Sequence, residues 1–155
     1  MRVVGLAVDA MDNERPAIHV VLVEDSGGTA TIEDATDFNG DDEPMPDQMH
    51  HAAEGVRTYL KSAGAERVVV RVADFNAQAR QTKGTKNRLR MEGAITSAAT
   101  SVVPDTHLAT GKDAGQWFGG SKADVEAAAT TLVEASSLHK RFGEAASAAL
   151  AGTAL

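Results

Sequence analysis

The chain has 155 residues, which fits a single domain spanning residues 1–155 with its own core. It contains no cysteine, and this excludes disulfides, thiolate metal sites and a cysteine nucleophile. The formal charge of −7 is not that of a strongly basic nucleic-acid-binding protein. The charge is uneven, however: residues 1–54 hold 13 acidic and two basic residues, residues 55–112 four and ten, and residues 113–155 five and three. We therefore expect anionic ligands at the middle of the chain.

The N-terminal apolar segment is ended by Asp9 and is too short for a secretory signal peptide. No run of residues stays apolar over the roughly 18 positions that a membrane-spanning helix needs. The sequence therefore predicts a cytoplasmic protein with no membrane contact.

The first third of the chain has the pattern of a β-meander. Val3–Val8, Pro16–Glu24 and Thr29–Thr36 are rich in β-branched residues and are separated by polar or glycine-containing turns. Residues 47–63 then repeat apolar side chains at helical spacing, with Asp47 as the predicted N-cap and Gly64 as the stop. Three antiparallel strands followed by a helix are predicted.

The rest of the chain alternates strands and helices. A nearly unbroken apolar strand is predicted at Arg67–Ala73, a basic loop at 76–86, a helix at 87–99 and a short strand at Ser101–Pro104. A glycine-rich segment follows at 105–120, and then two alanine-rich helices at about 122–137 and 141–152. This order predicts an α/β fold with a mixed sheet and helices on both faces.

Acidic residues follow two of the predicted strands. Asp9 ends the first strand and Asp74 follows the fourth. If those strands are neighbours, the two carboxylates come together, and paired carboxylates bind Mg²⁺ while leaving room for phosphate oxygens. The alternative for each residue is an aspartate that bonds its own turn, or, for Asp74, a partner for Arg71.

The most basic segment is 80–90, with five basic and no acidic residues. Lys83, Lys86, Arg88 and Arg90 are its candidate phosphate contacts, beside the start of a predicted helix. A merely solvated basic loop is the alternative. The five histidines are scattered, and surface or structural roles are expected for His19, His50, His51, His107 and His139.

The last predicted helix carries Glu144 and Ser147 three residues apart, hence on one face. Small residues surround them, which lets this helix approach the sheet closely and brings Glu144 near the strand ends. The alternative is a packing helix with one exposed glutamate.

The order of elements and these residues together resemble the ribonuclease H-like fold and, within it, the RuvC-type Holliday-junction resolvases. The matching pieces cover essentially the whole chain and are Val4–Asp9, Val68–Asp74, Lys86–Ile95, Gly120–Val125 and Gly143–Leu150. The resemblance implies a nuclease with clustered acids on Mg²⁺ or Mn²⁺, a nucleic-acid partner and a possible homodimer. Asp9, Asp74 and Glu144 are then the predicted catalytic and metal-binding residues.

The acidic set is incomplete in two places. Ser147 stands where the family has its last acid, and either Arg71 or Asp74 falls at the fourth-strand acid. Two functions follow: a metal-dependent nuclease acting on DNA or RNA, or an inactive binding or scaffold protein that keeps the fold. An actin-like nucleotide-binding lobe shares the fold, but the chain is too short for the two lobes that clamp ATP.

Overall fold

The computed structural model describes residues 1–10, 15–40, 43–74 and 81–155. The elements in these ranges follow one another as β1 (Arg2–Asp9), β2 (Ala17–Ser26), β3 (Thr29–Asn39), α1 (Met45–Ala63), β4 (Arg67–Arg71), α2 (Lys83–Thr100), β5 (Thr106–Ala109), α3 (Gly111–Phe118), α4 (Lys122–Ala135) and α5 (Gly143–Thr153). A short 3₁₀ turn at Lys140–Phe142 leads into α5. No helix in the described ranges is both long and apolar enough to cross a membrane.

The strands form one mixed sheet in the order β3-β2-β1-β4-β5. The meander β1 to β3 is antiparallel, and β4 and β5 run parallel to β1. The first and fourth strands are neighbours, which was the condition for Asp9 and Asp74 to lie close together. The α/β architecture and the mixed sheet predicted from the sequence are therefore confirmed.

Helices cover both faces of the sheet, also as predicted. Alternate residues of each strand point to opposite faces, so Val4, Leu6 and Val8 pack against α1 and α2. Val3 and Ala7 point the other way and pack against α3, α4 and α5. The second face carries many alanines, and these small side chains let the helices lie close to the strands.

The fifth strand lies later than predicted. Residues 101–104 form a turn after α2, and the strand is Thr106–Ala109. Pro104 has no N–H group for a ladder, and pairing begins at Asp105, whose carbonyl accepts from the Val68 N–H at 3.0 Å. Two valines favoured a strand at 101–104 because burial against the core and strand formation select the same residues.

Helix α2 begins at Lys83, four residues before the predicted start. Thr82 is its N-cap, with a side chain that accepts from the Thr85 N–H at 3.1 Å. Part of the predicted basic loop is therefore helical, and residues 75–80 lie outside the described residues. Helix α1 starts at Met45 with Asp47 in its first turn, and Gly64 ends it in the left-handed conformation (φ 62°).

Candidate functional site

An open pocket of about 440 Å³ lies where β1 ends beneath the start of α5. It holds two of the three predicted acids. We call it the β1 pocket, and its lining residues are Val8, Asp9, His19, Arg88, His139, Lys140, Arg141 and Glu144.

Helix α5 reaches this position because its backbone lies directly on β1. A Cβ atom at Gly5 would stand 1.9 Å from the Ala145 carbonyl oxygen and 2.7 Å from the Ala149 nitrogen. Only glycine allows this approach. The contact places the first turn of α5, and Glu144 with it, over the end of the strand that carries Asp9.

Arg88 is a fixed cation in the β1 pocket. Its Nε donates to Glu92 Oε1 at 2.7 Å and its Nη2 to Glu144 Oε2 at 3.2 Å. Glu92 is 4% exposed and also accepts from the Ala73 N–H. Burial raises the pKa of Glu92, and the opposing effect of Arg88 does not cancel it. The Arg88–Glu92 pair therefore joins the segment after β4, through Glu92, to α5, through Arg88.

His19 forms the floor of the pocket. It lies opposite Asp37 in the β2–β3 register, and its Nδ1 is 2.6 Å from Asp37 Oδ1. Since an ionised carboxylate only accepts, Nδ1 carries the proton. The other oxygen of Asp37 pairs with Arg141 Nη2 at 2.7 Å, and the Phe142 ring meets the imidazole edge to face at 5.8 Å. The imidazole is thus held in one orientation.

Asp9 faces His19 across the pocket. Asp9 Oδ2 and His19 Nε2 are 3.9 Å apart, too far for a hydrogen bond. The Asp9 side chain is 55% exposed. Within the described residues, this contact is the one ion pair recorded for Asp9.

Asp74 does not join this group. It belongs to a separate cluster, where Arg71 Nη2 approaches its carboxylate to 2.9 Å, Lys122 Nζ to 2.7 Å and the Gly111 N–H to 2.7 Å. Burial acts to raise the pKa of Asp74, but these hydrogen bonds outweigh it and hold the pKa well below its usual range. Asp74 is therefore a structural carboxylate paired with cations of the fold.

Arg71, and not Asp74, lies at the end of the fourth strand. Arg71 is the last residue of β4 and pairs in register with Ala7, so it shares the sheet face of Asp9. Asp74 lies three residues beyond the strand. A buried guanidinium, 2% exposed, thus occupies the strand end.

The four predicted phosphate contacts separate into two groups. Lys83, Lys86 and Arg90 are exposed and lie three and four residues apart along one side of α2. We call these three residues the α2 stripe. Arg88 is turned away from them into the β1 pocket.

The residues do not fit the two-metal site that the ribonuclease H-like resemblance implies. Of the predicted ligands, Glu144 is engaged by Arg88 and Asp74 by two cations elsewhere. Ser147 is buried and donates to the Glu144 carbonyl. Across the described ranges, no three His, Asp or Glu side chains are grouped to hold a metal ion.

Four residues of the site were not selected from the sequence: His19, Asp37, Glu92 and Arg141. His19, Asp37 and Arg141 are brought together by tertiary contacts rather than by local spacing. Glu92 lies on α2 four residues after Arg88, and this i, i+4 pair is the one signal that the sequence offered.

No protein-family model and no curated protein matches the sequence. Solved structures do match. The RuvC of T. thermophilus in complex with a Holliday junction substrate superposes with a TM-score of 0.74 at 17% identity, covering 99% of this chain and 94% of that one. A second Thermus thermophilus RuvC structure gives a TM-score of 0.72 with the same identity and coverage. The chain has the ribonuclease H-like fold in its RuvC form, as predicted.

Proposed function

We propose that this protein binds nucleic acid along the α2 stripe and the rim of the β1 pocket, and that it does not cut the strand by a two-metal mechanism. The position of Arg88 carries the proposal. Its guanidinium is fixed between Glu92 and Glu144, where metal-dependent cleavage would need free carboxylates.

The binding half of the proposal rests on the distribution of exposed cations. The α2 stripe stands on one side, and Lys140 and Arg141 are exposed beside the pocket. The first turn of α2 has no acidic residue, so the positive end of the helix dipole adds to the same field. The match to a RuvC bound to a Holliday junction supports a nucleic-acid partner.

The absence of two-metal cleavage is inferred from the positions and partners of the carboxylates. Two-metal hydrolysis needs ions that clamp the attacking and leaving oxygens, and a cluster of carboxylates has to hold the two ions between them. Asp9 is the one predicted ligand that no guanidinium or ammonium engages among the described contacts. A lone carboxylate, next to a guanidinium that two glutamates already hold, leaves no set of free carboxylates for two metal ions.

Binding is tested by fluorescence anisotropy with a four-way junction, duplex DNA, single-stranded DNA and RNA, in EDTA and over a range of salt concentrations. We expect the logarithm of the affinity to fall with that of salt by about 0.9 for each phosphate contact. Lys83→Ala with Arg90→Ala should lower the slope by about 2. Arg57→Ala with Lys61→Ala removes the same charges from α1 and should leave the slope unchanged. Equal effects of the two pairs would contradict the assigned surface.

Cleavage is tested on the same four substrates with Mg²⁺ or Mn²⁺. We expect no product above that of the Asp9→Asn variant. Metal-dependent cleavage that Asp9→Asn abolishes would overturn the inactive half and favour the nuclease predicted from Asp9 and Glu144. Light scattering on the free and bound protein tests the predicted homodimer.

A further inference from the structure

One nitrogen of the β1 pocket is an acceptor without a donor. His19 Nε2 is buried and has no hydrogen-bond partner within the described part of the chain. The His19 side chain is 7% exposed, and its Nδ1 donates to Asp37. The neutral ring therefore presents an unused lone pair at Nε2. Buried polar atoms without a partner are rare in folded proteins, and this nitrogen marks a place where a ligand can supply a donor.

A second acceptor lies beside this nitrogen. Asp9 Oδ2 is 3.9 Å from His19 Nε2, and 55% of the Asp9 side chain is exposed. One alcohol hydroxyl has a single proton and cannot donate to both atoms. The two hydroxyls of a cis-diol are carried by adjacent carbons, and their staggered oxygens stand roughly 3 Å apart. Such a diol can therefore donate one hydrogen bond to each acceptor.

The sheet holds the two acceptors in place. His19 lies opposite Ala7 and Asp9 opposite Ala17 in the β1–β2 register, so His19 and Asp9 are diagonal neighbours on one face. Asp37 fixes the imidazole from β3, and its other oxygen pairs with Arg141 Nη2 at 2.7 Å. A pair of acceptors fixed in this way loses little conformational freedom when a ligand binds.

The rim of the same pocket offers positive charge. Lys140 and Arg141 line the pocket and are exposed. Arg141 uses Nη2 for Asp37, and a guanidinium has further N–H donors for a phosphate. The volume of about 440 Å³ lies within the usual range of small-molecule sites. Acceptors on the floor and cations on the rim together match the hydroxyls and the phosphate of one ribonucleotide.

We propose that the β1 pocket binds the terminal ribose of a ribonucleotide. His19 Nε2 and Asp9 accept its 3′- and 2′-hydroxyls, and Lys140 and Arg141 bind its phosphate. Carboxylates are known partners of ribose hydroxyls, and the 2′-hydroxyl is the group by which proteins distinguish RNA from DNA. This inference rests on the proposed function and narrows it: the strand bound along the α2 stripe is RNA, and its 3′ end enters the pocket.

The test is fluorescence anisotropy in EDTA with single strands of one sequence that are labelled at the 5′ end. The strands are RNA with a free 3′ end, the same RNA ending in a 2′-deoxynucleotide, the same RNA ending in a 3′-phosphate, and DNA. We expect the free RNA end to bind at least about tenfold tighter than the other three, because each of them leaves a buried or charged acceptor without its hydroxyl.

Variants of the two acceptors should remove this preference. His19→Phe removes the lone pair and Asp9→Ala the carboxylate, so each should bring the affinity ratio between the free and the 2′-deoxy RNA end close to one. His107→Gln is the matched control, since His107 also pairs with an aspartate, Asp105, but lies outside the pocket, and it should keep the ratio. If His19→Phe does not fold, Asp9→Ala changes a half-exposed side chain and still tests the site.

A free ribonucleotide presents the same diol and phosphate as an RNA end. Adenosine 5′-monophosphate and its 2′-deoxy form are therefore titrated as competitors. Binding of the ribonucleotide alone, with equal affinity for all RNA ends, would support the ribose site and identify a free nucleotide as its ligand.

Equal affinity for all RNA ends, without a preference between the two mononucleotides, would overturn the proposal and mean that a proton or water satisfies Nε2. Lys83→Ala with Arg90→Ala is measured on the same strands. A lower salt slope in this variant together with equal affinity for all ends would contradict the ribose site and leave the proposed function standing. If no strand binds, the proposed function fails, and the mononucleotide titration still decides on the ribose site.

Discussion

Asp9 ends β1 and Asp74 lies three residues beyond the neighbouring parallel strand β4, yet the fold uses the two carboxylates in opposite ways. Asp74 is held by a buried arginine, a lysine and a backbone N–H. Asp9 faces a buried imidazole nitrogen at 3.9 Å. An aspartate at a strand end is thus available for chemistry only where the fold does not supply its own cation.

The difference arises from where each strand stops. β1 ends at Asp9 itself, whereas β4 ends at Arg71 and the chain continues for three residues before Asp74. Gly111 makes room for the guanidinium, since a Cβ there would stand 2.4 Å from Arg71 Nη2. The start of α3 and the end of β4 therefore close around Arg71 and Asp74 as one unit.

The largest expected effect comes from removing the buried cation. Arg71→Met should lower the free energy of unfolding by about 1–3 kcal/mol, because it removes the buried partner of the Asp74 carboxylate, which keeps Lys122 and the Gly111 N–H. Urea unfolding followed by circular dichroism measures it. Arg90→Met, an exposed change, should cost less than about 0.5 kcal/mol. A loss below about 1 kcal/mol for Arg71→Met would show that Asp74 does not depend on this pairing.

A second experiment compares the pH dependence of two carboxylates. The pKa of Asp74 is lowered in the folded state, so its stabilising contribution is present above about pH 4 and is lost as the pH falls through the folded-state pKa. The pKa of Glu92 is raised, so its ionisation costs stability as the pH rises above about 4.3. Relative to the native chain, Asp74→Asn should therefore lose stability with rising pH, and Glu92→Gln should gain it.

Urea unfolding between about pH 3 and pH 7 measures both differences, with the native chain as the reference at each pH. The two slopes should have opposite signs. Slopes of the same sign would mean that burial and pairing do not separate the two carboxylates.

The smallest effect is expected at Lys122. Its ammonium pairs with Asp74 at 2.7 Å and with Glu126 at 3.7 Å, but its side chain is 47% exposed. Exposed pairs contribute little, so Lys122→Met should cost about 0.5 kcal/mol in the same assay. A cost equal to that of Arg71→Met would show that Lys122 stabilises the Asp74 carboxylate as much as Arg71 does.

The sequence predicted the layers of the fold because the apolar patterns that define them are local. β1, β2 and β4 are short β-branched runs, and α1 has a clear apolar face and a glycine stop. β5 was misplaced because Val102 and Val103 outweighed its own four residues, of which only Ala109 is fully buried.

The site was harder to predict because it depends on register. β2 and β3 pair regularly from their turn up to Val23 and Ile32, and a bulge then shifts the register by one residue. Without this bulge, Thr36 would lie opposite His19 instead of Asp37. No pattern in the sequence predicts the bulge, so the contact between Asp37 and His19 could not be predicted.

The close contact at Gly5 has a mechanical consequence. The two walls of the β1 pocket belong to different layers, with Asp9 and His19 on the sheet and Glu144 on α5. Their separation is set by main chain against main chain rather than by side chains that can change rotamer. A methyl group at position 5 would push α5, with Glu144, away from the strands that carry Asp9 and His19. The spacing between the two walls thus depends on a strand residue, Gly5, that does not itself line the pocket.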